Sequence, residues 1–87
     1  MASYNVFIKP SAVKELEAVP KTDRLRIIRR IQNLAVEPRP AGAEKLSGQE
    51  RYRIRQGDYQ VVYAINDHEQ RFVVFKIGHR REVYRLR

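Results

Sequence analysis

RYRIRQGDYQVVYAI, residues 51–65, decides the fold. Arg51, Arg53 and Arg55 alternate with Tyr52 and Ile54. Successive side chains of a strand point to opposite faces, so this alternation predicts a strand over 51–56. Its apolar face enters a core, and its other face carries three guanidinium groups. QGD at 56–58 supplies turn residues, and a second strand follows at 59–66. NDHEQ at 66–70 is another connection, leading to a third strand at 71–78. The three form a meander.

Upstream, SYNVFIK at 3–9 reads as a strand with apolar residues on both faces, which predicts burial on both sides. Pro10 ends it, and Ser11 is placed to cap a short helix at about 11–19, with Val13, Leu16 and Val19 on one stripe. Pro20 closes that helix. A longer helix at 22–36 places Leu25, Ile28, Ile31, Leu34 and Ala35 at spacings of three and four, with Ile27 adjoining. Arg24, Arg26, Arg29, Arg30 and Gln32 lie on its other side, and Asp23 suits the dipole of its first turn. The short connection predicts an antiparallel helical hairpin. Residues 37–50, with two prolines and two glycines, read as a loop in which Lys45 is a loop residue. GHRREVYRLR, from Gly78, is a short C-terminal segment of one or two helical turns. The expected fold is α+β in a single domain, 1–87. An N-terminal strand and a helical hairpin pack on one face of a mainly antiparallel sheet completed by the meander.

The chain has 87 residues and a net charge of +8, with 18 Lys+Arg against 10 Asp+Glu. Most of the cations are arginine, whose planar fork grips phosphate in two places. A pI near 10.3 in so small a chain is the footprint of a nucleic-acid partner. With no cysteine, neither a disulfide framework nor a thiolate metal site is available. Two histidines alone argue against zinc. No stretch has the length of a membrane span or the apolar core of a signal peptide, so a cytoplasmic protein with no membrane partner is expected.

Two basic clusters stand out: Arg51, Arg53 and Arg55 in the first meander strand, and Lys76, His79, Arg80, Arg81, Arg85 and Arg87 around Tyr84. A groove floored by arginine and edged by tyrosine suits RNA, since guanidinium groups neutralise phosphates and a ring stacks an unpaired base. Each residue also has a plainer reading. The arginines make a solvated sheet face, Tyr52, Tyr59 and Tyr63 are core residues, and Tyr84 staples the C-terminus to the sheet. His68 is an exposed turn residue, and His79 lies between a strand end and an arginine pair.

KPSAVKEL, KLSG, YRIRQGDYQVVYAI and IGHRREVYR, in that order, resemble the RelE/ParE superfamily of toxins from prokaryotic toxin–antitoxin modules, the RelE branch more than the ParE branch. The resemblance implies a type II toxin that cuts mRNA in the ribosomal A site without metal or cofactor. A RelB-like antitoxin restrains it, and operator DNA is met only through the antitoxin complex. Carried over by motif, catalysis falls to Arg53, Arg55, Arg80 and Tyr84, with His79 as a weaker acid–base candidate. Arg51, Lys45, Lys76, Arg81 and Arg85 are expected to bind RNA or the ribosome. Gln60 stands where the family often has a further arginine, and Arg53 and Arg55 stand where it often has lysine. Arginine does not release its proton at ordinary pH, so these residues would stabilise charge rather than act as base. The competing readings are a ParE-like poison of DNA gyrase and a degenerate toxin that keeps only antitoxin binding and operon regulation.

Overall fold

The computed structural model describes residues 3–46 and 51–79. In chain order they form β1 (Asn5–Ile8), α1 (Pro10–Glu17), α2 (Lys21–Val36), β2 (Glu44–Leu46), β3 (Arg51–Gln56), β4 (Tyr59–Asn66) and β5 (Arg71–His79). The sheet order is β1-β5-β4-β3-β2. β1 runs parallel to β5, and every other pairing is antiparallel. Both helices lie against one face of this sheet, as the α+β reading expects.

The meander strands fall where the alternation puts them. Tyr52 and Ile54 are buried, at 8% and 1% exposure, while Arg51, Arg53 and Arg55 stay at least partly exposed. The β3–β4 loop is Gly57-Asp58, and Gly57 alone in it has a positive φ, 62°. A left-handed first residue in a two-residue loop is the type II′ requirement, which glycine meets without strain. Across the three strands the rings of Tyr52, Tyr63 and Phe72 stack in sequence, with centroids 5.8 and 4.6 Å apart. β5 contains a bulge. Val62 opposes Lys76 and Tyr63 opposes Val74, leaving Phe75 as an extra residue. The bulge changes the parity of the strand, so Phe72, Val74 and Ile77 all reach the core.

Several upstream expectations are corrected. β1 is an edge strand, and Val6 and Phe7 are 43% and 54% exposed, because among the described residues no element covers its far side. Pro10 is the first residue of α1, where its missing N–H costs no bond, and Lys9 occupies the cap position. Ser11 is therefore inside the helix and caps nothing. The buried stripe of α1 starts at Ala12, not Val13, and continues through Leu16 to Val19 just beyond the helix. In α2 the buried residues are Ile27, Ile31, Leu34 and Ala35. Leu25 is 54% exposed, since at about 100° per residue it points away from Ile27 and Ile31. Within 37–50, β2 pairs with β3 and makes Lys45 a strand residue.

Three aromatic hydroxyls tie the connections to the sheet. Tyr63 donates to the Pro38 carbonyl at 2.8 Å, and burial pushes its phenol up to about 12. Arg39 donates from Nε to the Tyr52 hydroxyl at 2.9 Å and grips the Asp67 carboxylate through both terminal nitrogens at 3.1 and 2.8 Å. Tyr4 donates to the same carboxylate at 2.6 Å. The α2–β2 connection, the β4–β5 turn and the residues before β1 thus meet at one carboxylate.

The hydrogen bonds from Arg39, and next from Tyr4, hold the Asp67 carboxyl below the usual carboxylate range. A depressed acid stabilises the fold fully above its unfolded pKa of about 3.9, and the contribution is lost as pH falls through the lower folded value. Asp67→Asn should therefore melt below wild type at neutral pH, and the gap should narrow below about pH 4. Melting temperatures across a pH series check this. Tyr63→Phe, which strands a buried carbonyl, should cost about 1–3 kcal/mol in urea denaturation at any pH below 10.

Candidate nucleic-acid interface

The sheet face turned away from the helices is built by β3, β4 and β5. Directly paired residues share a face, so the register assigns each side chain. Arg53 lies beside Val62, Arg55 beside Gln60, and Arg51 beside Ala64. Val73 and Phe75 continue this face into β5. The result is an apolar strip edged by cations. Lys9 and Arg51 both stand over the Phe75 ring, at 4.3 and 4.1 Å from its centroid. Such cation–π contacts hold the cations in place without neutralising them. Towards the β4–β5 turn a shallow cavity of about 350 Å³ opens beside Arg51, Asn66, Glu69 and Arg71.

The structure brings Arg51, Arg53 and Arg55 onto one face. Arg53 shares its charge with Glu44 of β2 at 3.5 Å, and its side chain is 17% exposed. Arg55 is exposed at the end of β3.

The other expected residues are placed differently. Lys45 opposes Tyr52, which assigns it to the helix-covered face rather than to the arginine face. Lys76 opposes Val62, but its ammonium pairs with Glu15 of α1. His79 opposes Tyr59, and their rings meet edge to face with centroids 5.8 Å apart. Tyr59 packs against the core, so the register puts His79 on the face opposite Arg55. Arg80, Arg81, Tyr84 and Arg85 lie outside the described residues.

Two contributors escaped sequence reasoning. Glu15 accepts the Ile77 N–H at 3.0 Å while it pairs with Lys76. β1 stops at Ile8, opposite Val74, so the edge of β5 beyond it would otherwise be bare, and Glu15 covers it. No local pattern marks that contact, which spans 62 residues. Gln60 was visible as a departure from the family pattern, but not its environment. It is the one polar residue among the described residues that is fully buried, and neither its Oε1 nor its Nε2 has a hydrogen-bond partner.

With this geometry in view, comparison places the chain. A family model for the ParE toxin of the type II toxin–antitoxin system parDE matches residues 6–84. The chain belongs to the ParE toxin family. Several solved structures similar to this toxin carry the RelE name. A mutant of the E. coli toxin RelE in the free state superposes with a TM-score of 0.81 at 25% identity, covering 97% of this chain and 93% of that one. The RelE–RelB complex from Pyrococcus horikoshii gives 0.78 at 29% identity, covering 91% and 97%. The RelBE2 complex from Mycobacterium tuberculosis gives 0.79 at 22% identity, covering 91% and 100%, a likeness of fold alone. No match is found among curated proteins. The toxin is therefore a member of the RelE/ParE superfamily of type II toxins.

The edge contact makes a prediction of its own. Glu15→Ala leaves both the Ile77 N–H and the Lys76 ammonium without this partner and should destabilise the toxin by about 1–3 kcal/mol. Glu15→Gln keeps an acceptor for the N–H and should cost less. Urea denaturation of the three proteins gives the order.

Proposed function

We propose that this toxin is a ribosome-dependent mRNA endonuclease restrained by a RelB-like antitoxin. The observation that carries the reading is the split of β3: Tyr52 and Ile54 are buried, and Arg51, Arg53 and Arg55 share the opposite face. Similarity to RelE structures at 25–29% identity supports the branch. The P. horikoshii structure is a complex with RelB, which supports the partner. An antitoxin suited to this surface presents apolar residues to the strip and acidic residues to its cationic rim. Ribosomes and mRNA place the action in the cytoplasm, and operator DNA is reached through the antitoxin complex. Among the described residues no helix is long and apolar enough to cross a membrane.

The reaction that suits arginine-rich chemistry uses the RNA's own nucleophile. The ribose 2′-oxygen attacks the adjacent phosphorus, the O2′–P bond forms and the P–O5′ bond breaks. A 2′,3′-cyclic phosphate and a 5′-hydroxyl result. The 2′-hydroxyl loses a proton and the departing O5′ gains one, so the reaction consumes no net proton. Negative charge gathers on the phosphoryl oxygens midway, and preorganised cations there are usually the largest catalytic contribution. Arg53, Arg55 and Arg80 take that role, and Tyr84 stacks the base or orients the hydroxyl. Arg51, Arg81 and Arg85 hold the flanking phosphates. Guanidinium groups do not act as the base. His79, the weaker acid–base candidate, stands beside Tyr59 on the face opposite Arg55.

A second reading, poisoning of DNA gyrase, is favoured by the match to the ParE family model. The deciding experiment maps mRNA ends by primer extension on programmed ribosomes. Wild type should cut in the A site, and the Arg80→Ala, Tyr84→Phe double variant should cut at least about 100-fold more slowly. Folded, antitoxin-free wild type that leaves mRNA whole but blocks supercoiling by gyrase would transfer the assignment to the second reading.

A further inference from the structure

The carboxamide of Gln60 has no evident duty in the free toxin. Its side chain has 0% exposure, and both of its polar atoms lack partners. A carboxamide offers two donors and an acceptor with two lone pairs, and buried polar groups are almost always paired. Leaving these unmade destabilises the fold, and an apolar side chain of similar volume would remove the penalty. Gln60 lies between Arg55 on β3 and Gly78 on β5, with the half-buried Val62 two residues along its own strand. Gly78 has no side chain of its own on this face. An orphaned polar group kept at a cost to stability is a mark of a functional site.

The neighbours indicate what the carboxamide is for. Arg55 is its cross-strand partner, and Arg53 lies two residues further back on the same face. Those cations suit phosphate. A phosphate, however, has only acceptors and would engage Nε2 alone. A group that satisfies Oε1 and Nε2 together must present a donor and an acceptor side by side. Within a nucleic acid that is the edge of a base, and glutamine pairs in this two-point way with adenine. Single-stranded RNA exposes such edges when its bases are splayed from the stack.

We propose that Gln60 reads a nucleobase edge, adenine best, of a single-stranded RNA whose phosphates rest on Arg53 and Arg55. The inference builds on the RNA-directed reading above and gives it a specificity-determining residue. Because the carboxamide is covered in the free toxin, the contact belongs to the bound state, and RNA binding must part the side chains around it.

The test compares antitoxin-free wild type with Gln60→Met and Gln60→Leu. Melting temperature and binding to fluorescent RNA hexamers of A, C or U are measured. Neither readout requires cleavage or ribosomes, so a toxin that cuts no mRNA sinks the nuclease assignment without touching this one. Both variants should melt higher than wild type, since each removes the orphaned amide. Wild type should prefer the A hexamer about tenfold, and both variants should bind all three hexamers alike with the weaker affinity retained. Variants that keep the wild-type preference, or a wild type with no preference, would overturn the proposal. Variants that melt lower would overturn it too, because the carboxamide would then serve the fold.

Discussion

The stack of Tyr52, Tyr63 and Phe72 across three strands is the contact on which everything else rests. It fixes the register of the meander beneath the helices, and register decides which side chains share a face. A slip by one residue would turn Tyr52 outward and Arg53 inward. Two ties resist that slip. The Tyr63 hydroxyl is bonded to the Pro38 carbonyl, and the Tyr52 hydroxyl accepts from Arg39. The arginine face is thus a consequence of the aromatic face. One strand contributes to the core with its even positions and presents arginine on the opposite face with its odd ones.

The second face is not a uniform field of charge. Arg51 and Lys9 are seated on Phe75, Arg53 is matched by Glu44, and Lys76 turns to Glu15 at the sheet edge. The bulge at Phe75 underlies part of this arrangement, since it brings Ile77 into the core. It thereby divides β5 between a half paired with β1 and a half sealed by Glu15. Charge count alone overstates how many cations a ligand meets. Position on the sheet decides which of them do.

The meander was legible because period-two alternation is strong in RYRIR and VVYAI and the connections carry turn residues. On the helices two positions depart from the expected faces: Val13 is bulkier than Ala12 and Leu25 equals Ile27 in size, yet Ala12 and Ile27 are the buried ones, since size gives no phase information. β1 read as buried on both faces because its composition is that of a central strand. Its place at the sheet edge comes from parallel pairing with β5, 66 residues away, which no local pattern encodes. β2 is three residues long and exists through its partner β3. In the site, the shared face of Arg51, Arg53 and Arg55 followed from alternation alone. The separate placements of Lys45, Lys76 and His79 did not, because each depends on a register or a bulge set by another strand.

The central claim is that β3 serves the core and the RNA with alternate residues. Single alanine substitutions at Tyr52, Arg53, Ile54 and Arg55 test it, with melting temperature and ribosome affinity measured on each. The account predicts two profiles out of phase. Alanine at positions 52 and 54 costs about 2–5 kcal/mol of stability and lowers the melting temperature, while the folded fraction keeps its affinity. Positions 53 and 55 weaken binding, with a shallower salt dependence, and leave melting almost unchanged. Two profiles that rise and fall together would contradict it.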